Sequence, residues 1–222
     1  MSDSTRAPES SMLRLSRYHC FLGELLREEW AGRLTSREIA EELGVAEETV
    51  RRDLSYVDVE GRPGAGYDPS ELYAALQSYL GLSADYPFVA VGSAQMLMAL
   101  DTIFPADEFG MQMVACFSER DGDEGAVIGG VEVRPLAELP SLDPALGASV
   151  ALVACEPRSV TVALEGLHSA GIDAVLMLTP AIRPQHPEGM SVTYFRIPCS
   201  LKSLASSTPQ HPTCCAGGHC GA

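Results

Sequence analysis

From Phe88 onward one pattern recurs in the chain: a short apolar run, then a stretch with helical spacing. The runs are Phe88–Val91, Met111–Phe117, Val150–Cys155, Ala174–Leu178 and Val192–Ile197. Strands that are apolar along most of their length need cover on both faces, which is the situation of a parallel sheet. Helical patterns over 93–103 and 158–169 lie between them. Strands and helices in this alternation predict an α/β domain, with ligands held at the carboxyl ends of its strands.

Before Pro87 the apolar period is helical instead. Leu13, Leu15, Tyr18, Phe21, Leu22, Leu25 and Leu26 predict one amphipathic helix over 12–31. Thr35-Ser-Arg-Glu38 is a capping box, in which Thr35 accepts from a backbone amide and Glu38 reaches back. Ile39, Ala40 and Leu43 form the inner face of that helix, and Gly44 turns the chain. A third helix over 46–56 turns Val50 and Leu54 inward, Gly61–Tyr67 reads as a glycine-rich hairpin, and a further helix follows over 72–80. Helix, turn, helix and hairpin in that order make a winged helix-turn-helix. The expected organisation is a disordered, polar segment 1–11, a winged-helix DNA-binding domain 12–80, a Rossmann-like sensor domain 86–200, and a Cys/His-rich tail 201–222.

Charge narrows the function. The net charge of -15 argues against coating nucleic acid without sequence preference. Nine of the 14 arginines fall within residues 1–67, so the groups suited to phosphate and guanine concentrate in the winged-helix part. With Val50 and Leu54 inward, Glu48, Arg51, Arg52 and Ser55 face outward, where an arginine can fork onto guanine O6 and N7. No apolar run reaches the roughly 18 residues of a membrane helix, and no export signal is visible at the N-terminus, so the expectation is a cytoplasmic protein without a membrane span.

The stretch Thr49-Val-Arg-Arg-Asp-Leu-Ser-Tyr56, the hairpin Gly61-Arg-Pro-Gly-Ala-Gly-Tyr67 and the opening Arg14-Leu-Ser-Arg-Tyr18 resemble the Rex family of redox-sensing transcriptional repressors. Ile128–Val133, His168–Ile172 and Leu178–Ala181 are similar to further segments of that family. The resemblance implies a homodimer that binds an inverted-repeat, double-stranded operator and releases it when NADH replaces NAD. It makes Thr49, Arg51, Arg52, Ser55, Tyr56, Arg62 and Tyr67 the DNA-facing candidates. It places the cofactor-binding turn at Gly92, Ser93, Ala94, Gln95, Met96 and Leu97. It also implies a repressor rather than an enzyme, and no acid–base pair beside that turn argues otherwise.

Three positions depart from the dinucleotide fingerprint. Ala94 and Leu97 stand where glycines are expected, and Ser118 stands where an acid should hold the ribose hydroxyls. Ungapped alignment also puts Cys20, Ile103 and Pro198 at the positions of a polar cluster that links the family's two domains. The family's last helix swaps between protomers. Here Leu201–Leu204 begins a helical pattern that Ser206–Pro212 stops.

The seven cysteines raise an alternative. Cys116 and Cys155 lie in apolar runs and read as core thiols. Cys214, Cys215, His219 and Cys220 form a dense soft-ligand cluster suited to zinc, copper or an iron–sulfur cluster. The alternative is therefore a Rex-like repressor that has lost NAD(H) sensing and responds to metal or thiol oxidation, with Cys20, Cys155 and Cys199 as a second set of thiols.

Overall fold

The computed structural model describes residues 7–59, 61–62, 65–82, 85–179 and 184–207. The chain divides into two compact units, one of Met1–Pro87 with Leu100–Met113, the other of Phe88–Ala99 with Val114–Ala222.

The first unit holds α1 (Glu9–Arg27), α2 (Ser36–Leu43), α3 (Glu47–Leu54) and α4 (Pro69–Leu80). Helix α1 begins at Glu9, so Glu9–Ser11 are helical rather than disordered as their polarity suggested, and Ser11 is buried. The Thr35 capping box forms as expected, with Glu38 N–H on Thr35 Oγ1 at 3.2 Å and Thr35 N–H on Glu38 Oε2 at 2.7 Å. Gly44 closes α2 in the left-handed conformation, φ 64°. Asp68 caps α4, which starts three residues before its first apolar position, through the amides of Ser70 and Glu71. Leu15, Tyr18, Leu22, Ile39, Val50, Leu54, Leu72 and Leu76 form one core.

That core encloses a carboxylate. Asp53, on the inner face of α3, is 0% exposed. It accepts from Arg14 Nε at 2.6 Å and Arg14 Nη2 at 2.8 Å, and from the Tyr18 hydroxyl at 2.9 Å. Burial pushes the Asp53 carboxyl up, but hydrogen bonds from Arg14, Ser11 and Tyr18 outweigh it and hold the group below its usual range. The same burial raises the Tyr18 phenol, so it stays a donor.

The rest of the chain forms a seven-stranded sheet in the order β3-β4-β2-β1-β5-β6-β7. Its strands are β1 (Tyr86–Gly92), β2 (Met111–Ser118), β3 (Val127–Ile128), β4 (Val131–Pro135), β5 (Val150–Ala154), β6 (Ala174–Met177) and β7 (Ser191–Tyr194). The pairs β1–β5, β2–β4, β5–β6 and β6–β7 are parallel, and β3 pairs antiparallel with β4. Five of these strands answer to the apolar runs. Strands β3 and β4, at one side of the sheet, lacked that signal: Val131-Glu-Val-Arg-Pro135 alternates and is only partly buried. The last run ends as strand at Tyr194, and Ile197 already opens α7 (Ile197–Ser207). Helix α5 (Ala94–Ile103) follows β1, and α6 (Val160–Ser169) follows β5. Val160, Ala163, Leu164 and Leu167 of α6 join Val89, Val91, Phe117, Val153 and Met177 of the sheet in a second core.

Removing the Asp53 side chain leaves Arg14 and the Tyr18 hydroxyl without their acceptor. Asp53→Ala is expected to destabilise the first unit by about 3–5 kcal/mol in a urea titration followed by circular dichroism. Because the native carboxyl lies below its unfolded value, its stabilisation is complete above the ordinary carboxylate pKa of about 4. It is lost as pH falls through that value toward the lower native one. Asp53→Asn is therefore expected to flatten the acid limb of the stability profile.

Candidate DNA-reading face and nucleotide crevice

Helix α3 has its inner face set by Val50, Asp53 and Leu54, all buried. Its outer face presents Glu48, Arg51, Arg52 and Ser55, all exposed. Arg51 pairs with Glu47 one turn back, at an exposed site where such a pair is weak and exchangeable. The Ser55 hydroxyl donates to the Arg52 carbonyl at 2.6 Å. Thr49 and Tyr56 are half-buried, and Tyr56 packs against the core.

The hairpin is tied back to the strand-like segment before α2. Leu34 and Tyr67 exchange backbone hydrogen bonds at 2.9 and 2.7 Å, and Arg62 N–H donates to Gly66 O at 3.0 Å. Gly66 sits at φ 73°, and a Cβ there would lie 2.2 Å from the Leu34 carbonyl oxygen. This closure brings Arg62 and Tyr67 to one side of a cleft of about 350 Å³ whose other walls are Arg51, Glu47 and the capped start of α2 at Thr35. Three of the DNA-facing candidates, Arg51, Arg62 and Tyr67, thus share one cleft, with Arg52 and Ser55 exposed on α3 outside its lining.

In the second unit, β1 ends at Gly92 and α5 begins at Ala94, so the chain passes from strand to helix over Ser93 alone. A Cβ on Gly92 would lie 3.1 Å from the Ala154 carbonyl group and 3.3 Å from Leu97 Cδ2. The glycine therefore makes the room into which Leu97 packs. Leu97 is 2% exposed, and close strand–helix contact is kept by a large side chain resting over a missing one. Ala94 is buried, while Gln95 and Met96 are exposed. The Ser93 hydroxyl accepts from Met96 N–H at 3.4 Å. The departures at Ala94 and Leu97 are thus accommodated, and the amide end of α5 remains at the carboxyl edge of the sheet.

Ser118 ends β2, and its hydroxyl donates to Asp123 Oδ2 at 2.6 Å. The same oxygen accepts from Ala94 N–H, the first amide of α5, at 2.8 Å. Hydrogen bonds from Ser118 and then Ala94 hold the Asp123 carboxyl below its usual range. Glu119, next to Ser118, is held by Glu156: its Oε1 accepts from Glu156 N–H at 2.9 Å, and its Oε2 is buried without a partner among the described residues. Arg120 and Arg158 both pair with Glu156, at 2.9 and 2.8 Å. Beside these groups opens a cavity of about 520 Å³, walled by Ser118–Gly122, Arg134–Ala137 and the start of α6. Sequence reasoning did not single out Asp123 as the partner of Ser118 and Ala94. It lies five positions beyond the one the fingerprint marks, and its only signal is the glycine-flanked turn Gly122-Asp-Glu-Gly125.

Cys116 and Cys155 are buried in the sheet domain, as their apolar surroundings predicted. Burial raises the Cys116 thiol to about 11; burial, then the nearby Glu119 carboxylate, raises Cys155 to about 12. Such thiols are protonated and inert near neutrality. Cys20 is exposed. Among the described residues, no group of three or more His, Cys, Asp or Glu side chains is placed to hold a metal ion. Cys214, Cys215, His219 and Cys220 lie outside the described residues. No helix among the described residues is long and apolar enough to cross a membrane.

Residues 6–55 match the family model described as "Putative DNA-binding protein N-terminus". The redox-sensing transcriptional repressor Rex of Desulfitobacterium hafniense (strain DSM 10664 / DCB-2) is 30% identical over 183 residues, spanning 82% of this chain and 87% of that protein. The chain belongs to the Rex family. Among solved structures, the Rex-family repressor RSP in complex with β-NADH superposes with a TM-score of 0.73 at 25% identity, covering 91% of this chain and 94% of that one. RSP in complex with β-NAD+ and operator DNA gives 0.74 at 25% identity, covering 91% and 92%. Rex membership identifies the chain as a redox-sensing transcriptional repressor with a winged-helix part and a mostly parallel α/β part. It does not favour the reading in which nucleotide sensing has been replaced by metal or thiol chemistry, and the inert, buried Cys116 and Cys155 agree.

Two glycines of this Rex chain should differ sharply on substitution. Gly44, at φ 64° with open space around it, is expected to lose only about 1–2 kcal/mol on change to Ala. Gly66→Ala should lose clearly more in the same urea titration, because the Leu34 carbonyl cannot move without opening the hairpin.

Proposed function

We propose that the protein binds an inverted-repeat operator as a homodimer through α3 and the hairpin, and that NAD(H) in the crevice at the start of α5 sets its DNA affinity. Residues 12–80 are the DNA-binding part, 86–200 the sensor and 201–222 a tail. The observation that carries the reading is the cleft that joins Arg51, Arg62 and Tyr67.

Arg51 supplies the planar fork for a guanine edge once its exposed pair with Glu47 is exchanged. Arg52 and Ser55, further along the same exposed face, are placed for phosphate, and Arg62 reaches the backbone or the minor groove from the hairpin. Thr49, Tyr56 and Tyr67 complete the contact surface. The acidic balance of the remaining chain confines DNA to this face.

A pyrophosphate is read at the turn Gly92–Leu97, at the start of α5, because a helix N-terminus favours anions; there it would replace the Asp123 carboxylate that accepts from Ala94 N–H. Bound NAD(H) supplies a nicotinamide whose oxidation state reports the redox poise of its surroundings. Its effect on DNA affinity requires different affinities for the DNA-competent and released forms of the dimer. A second copy has an obvious face to cover: Ile197, Leu201 and Leu204 are all well exposed along α7.

Operator binding followed by fluorescence anisotropy tests this. Arg51→Ala is expected to weaken specific binding by about 10-fold or more, corresponding to about 1–3 kcal/mol. Arg52→Ala should weaken specific and unrelated duplexes alike and reduce the salt slope by about one. NADH added to the operator complex should release the DNA, and NAD+ should not. Unchanged operator affinity in Arg51→Ala would remove α3 from the groove.

A further inference from the structure

Helix α3 opens on two carboxylates, Glu47 and Glu48, on a segment otherwise equipped to meet DNA. Negative charge there opposes the phosphates, so its presence calls for a separate reason. One reason is local: Ala46 gives α3 no side-chain cap, and an acid in the first turn suits the helix dipole. Glu48, exposed and outside the cleft lining, meets that need by itself. Glu47 instead lines the cleft together with Arg51, Arg62 and Tyr67.

We propose that Glu47 is a base-reading residue, its carboxylate accepting from the N4 amino group of a cytosine in the base pair next to the guanine that Arg51 reads. This rests on the reading in which α3 enters the major groove. The N-terminal residues of a recognition helix are the ones that meet base edges. Side chains four apart on a helix stand about 5–6 Å from each other, more than the roughly 3.4 Å rise of one base-pair step, so Glu47 and Arg51 address neighbouring pairs. One Glu47 oxygen accepts from Arg51 Nη2, and among the described residues the other has no protein partner. Arg37 of α2, a second cation nearby, is paired with Glu41. When Arg51 turns to guanine, Glu47 loses its donor. An ionised acceptor left without a donor in a closed interface is costly, so the replacement has to come from the DNA.

The major groove narrows the choice. Only cytosine, through N4, and adenine, through N6, present donors there. Adenine carries the acceptor N7 beside its amino group, which a carboxylate repels, whereas cytosine presents its amino group without a neighbouring acceptor. Guanine and thymine offer O6, N7 and O4, all acceptors, and are rejected. In the free protein Glu47 and Arg51 satisfy each other. On the operator each exchanges its partner for a base, the acid for an amino group and the guanidinium for O6 and N7.

Selection of the full chain on a randomised duplex pool, followed by fluorescence anisotropy on the selected duplex and its single-position variants, tests the assignment. The native chain should select a cytosine beside the guanine in each half-site and lose about 10-fold or more in affinity when thymine replaces it. Glu47→Ala should abolish that discrimination while keeping the guanine preference and binding unrelated duplexes no more weakly. Glu47→Gln, whose amide can fork onto adenine N6 and N7, should move the preference at that one position to adenine. Base preferences unchanged at every position in Glu47→Ala would overturn the proposal, as would a native selection with no cytosine beside the guanine. A loss confined to the guanine position would overturn it too, leaving Glu47 as a positioning residue for Arg51. If the native chain selects no sequence from the pool, the groove reading itself falls and this assignment with it, an outcome distinct from the others.

Discussion

Two side chains of α1, those of Arg14 and Tyr18, depend on one buried negative charge. Asp53 sits on the inner face of α3, where an apolar residue would satisfy the packing as well, and a lone carboxylate there would be strongly unfavourable. It is tolerated because Arg14 addresses it with two nitrogens and Tyr18 with its hydroxyl, all from α1. Apolar contacts between two helices leave some freedom to slide and rotate. A forked guanidinium on a buried carboxylate leaves much less. The interaction therefore fixes the rotation of α3 about its axis, and with it the direction in which Arg51 and Arg52 face. A surface meant to read base edges needs that definition more than it needs extra stability.

The second unit solves a different problem with the same economy of residues. Its fingerprint is altered at three positions, yet each alteration has a local partner. Leu97 packs over the space that Gly92 leaves, so strand and helix still approach. Ser118 no longer offers a charge, but it holds one in place by donating to Asp123. Ala94 donates its amide to the same oxygen. Each altered position is thus tied into its surroundings by packing or by a hydrogen bond.

The cysteines teach the opposite lesson. Soft ligands are conspicuous in a sequence, and a count of seven invites a metal or a redox switch. In the fold, Cys116 and Cys155 are separate core thiols whose burial keeps them protonated. Residue type sets what chemistry is available, but only proximity and ionisation make it available to a ligand.

Local and periodic features of this chain were legible from its residues alone. The helix–turn–helix order, the Thr35 capping box, the left-handed Gly44 and five of the seven strands follow from short-range rules that act within a few residues. So did the outward face of α3, because Val50 and Leu54 leave only one orientation. Tertiary structure decided the rest. Strand β4 exists because β2 offers a pairing partner, and the edge strand β3 because β4 does, not because their own pattern demands it. Asp53 is buried only because Arg14 and Tyr18, 39 and 35 residues away, converge on it. Asp123 reaches the start of α5 from 29 residues away, because the loop after β2 folds back over the sheet edge. Charge pairing across such separations leaves no periodic trace in a sequence, since its partners are chosen by distance in space, and distance in space exists only once the chain has folded.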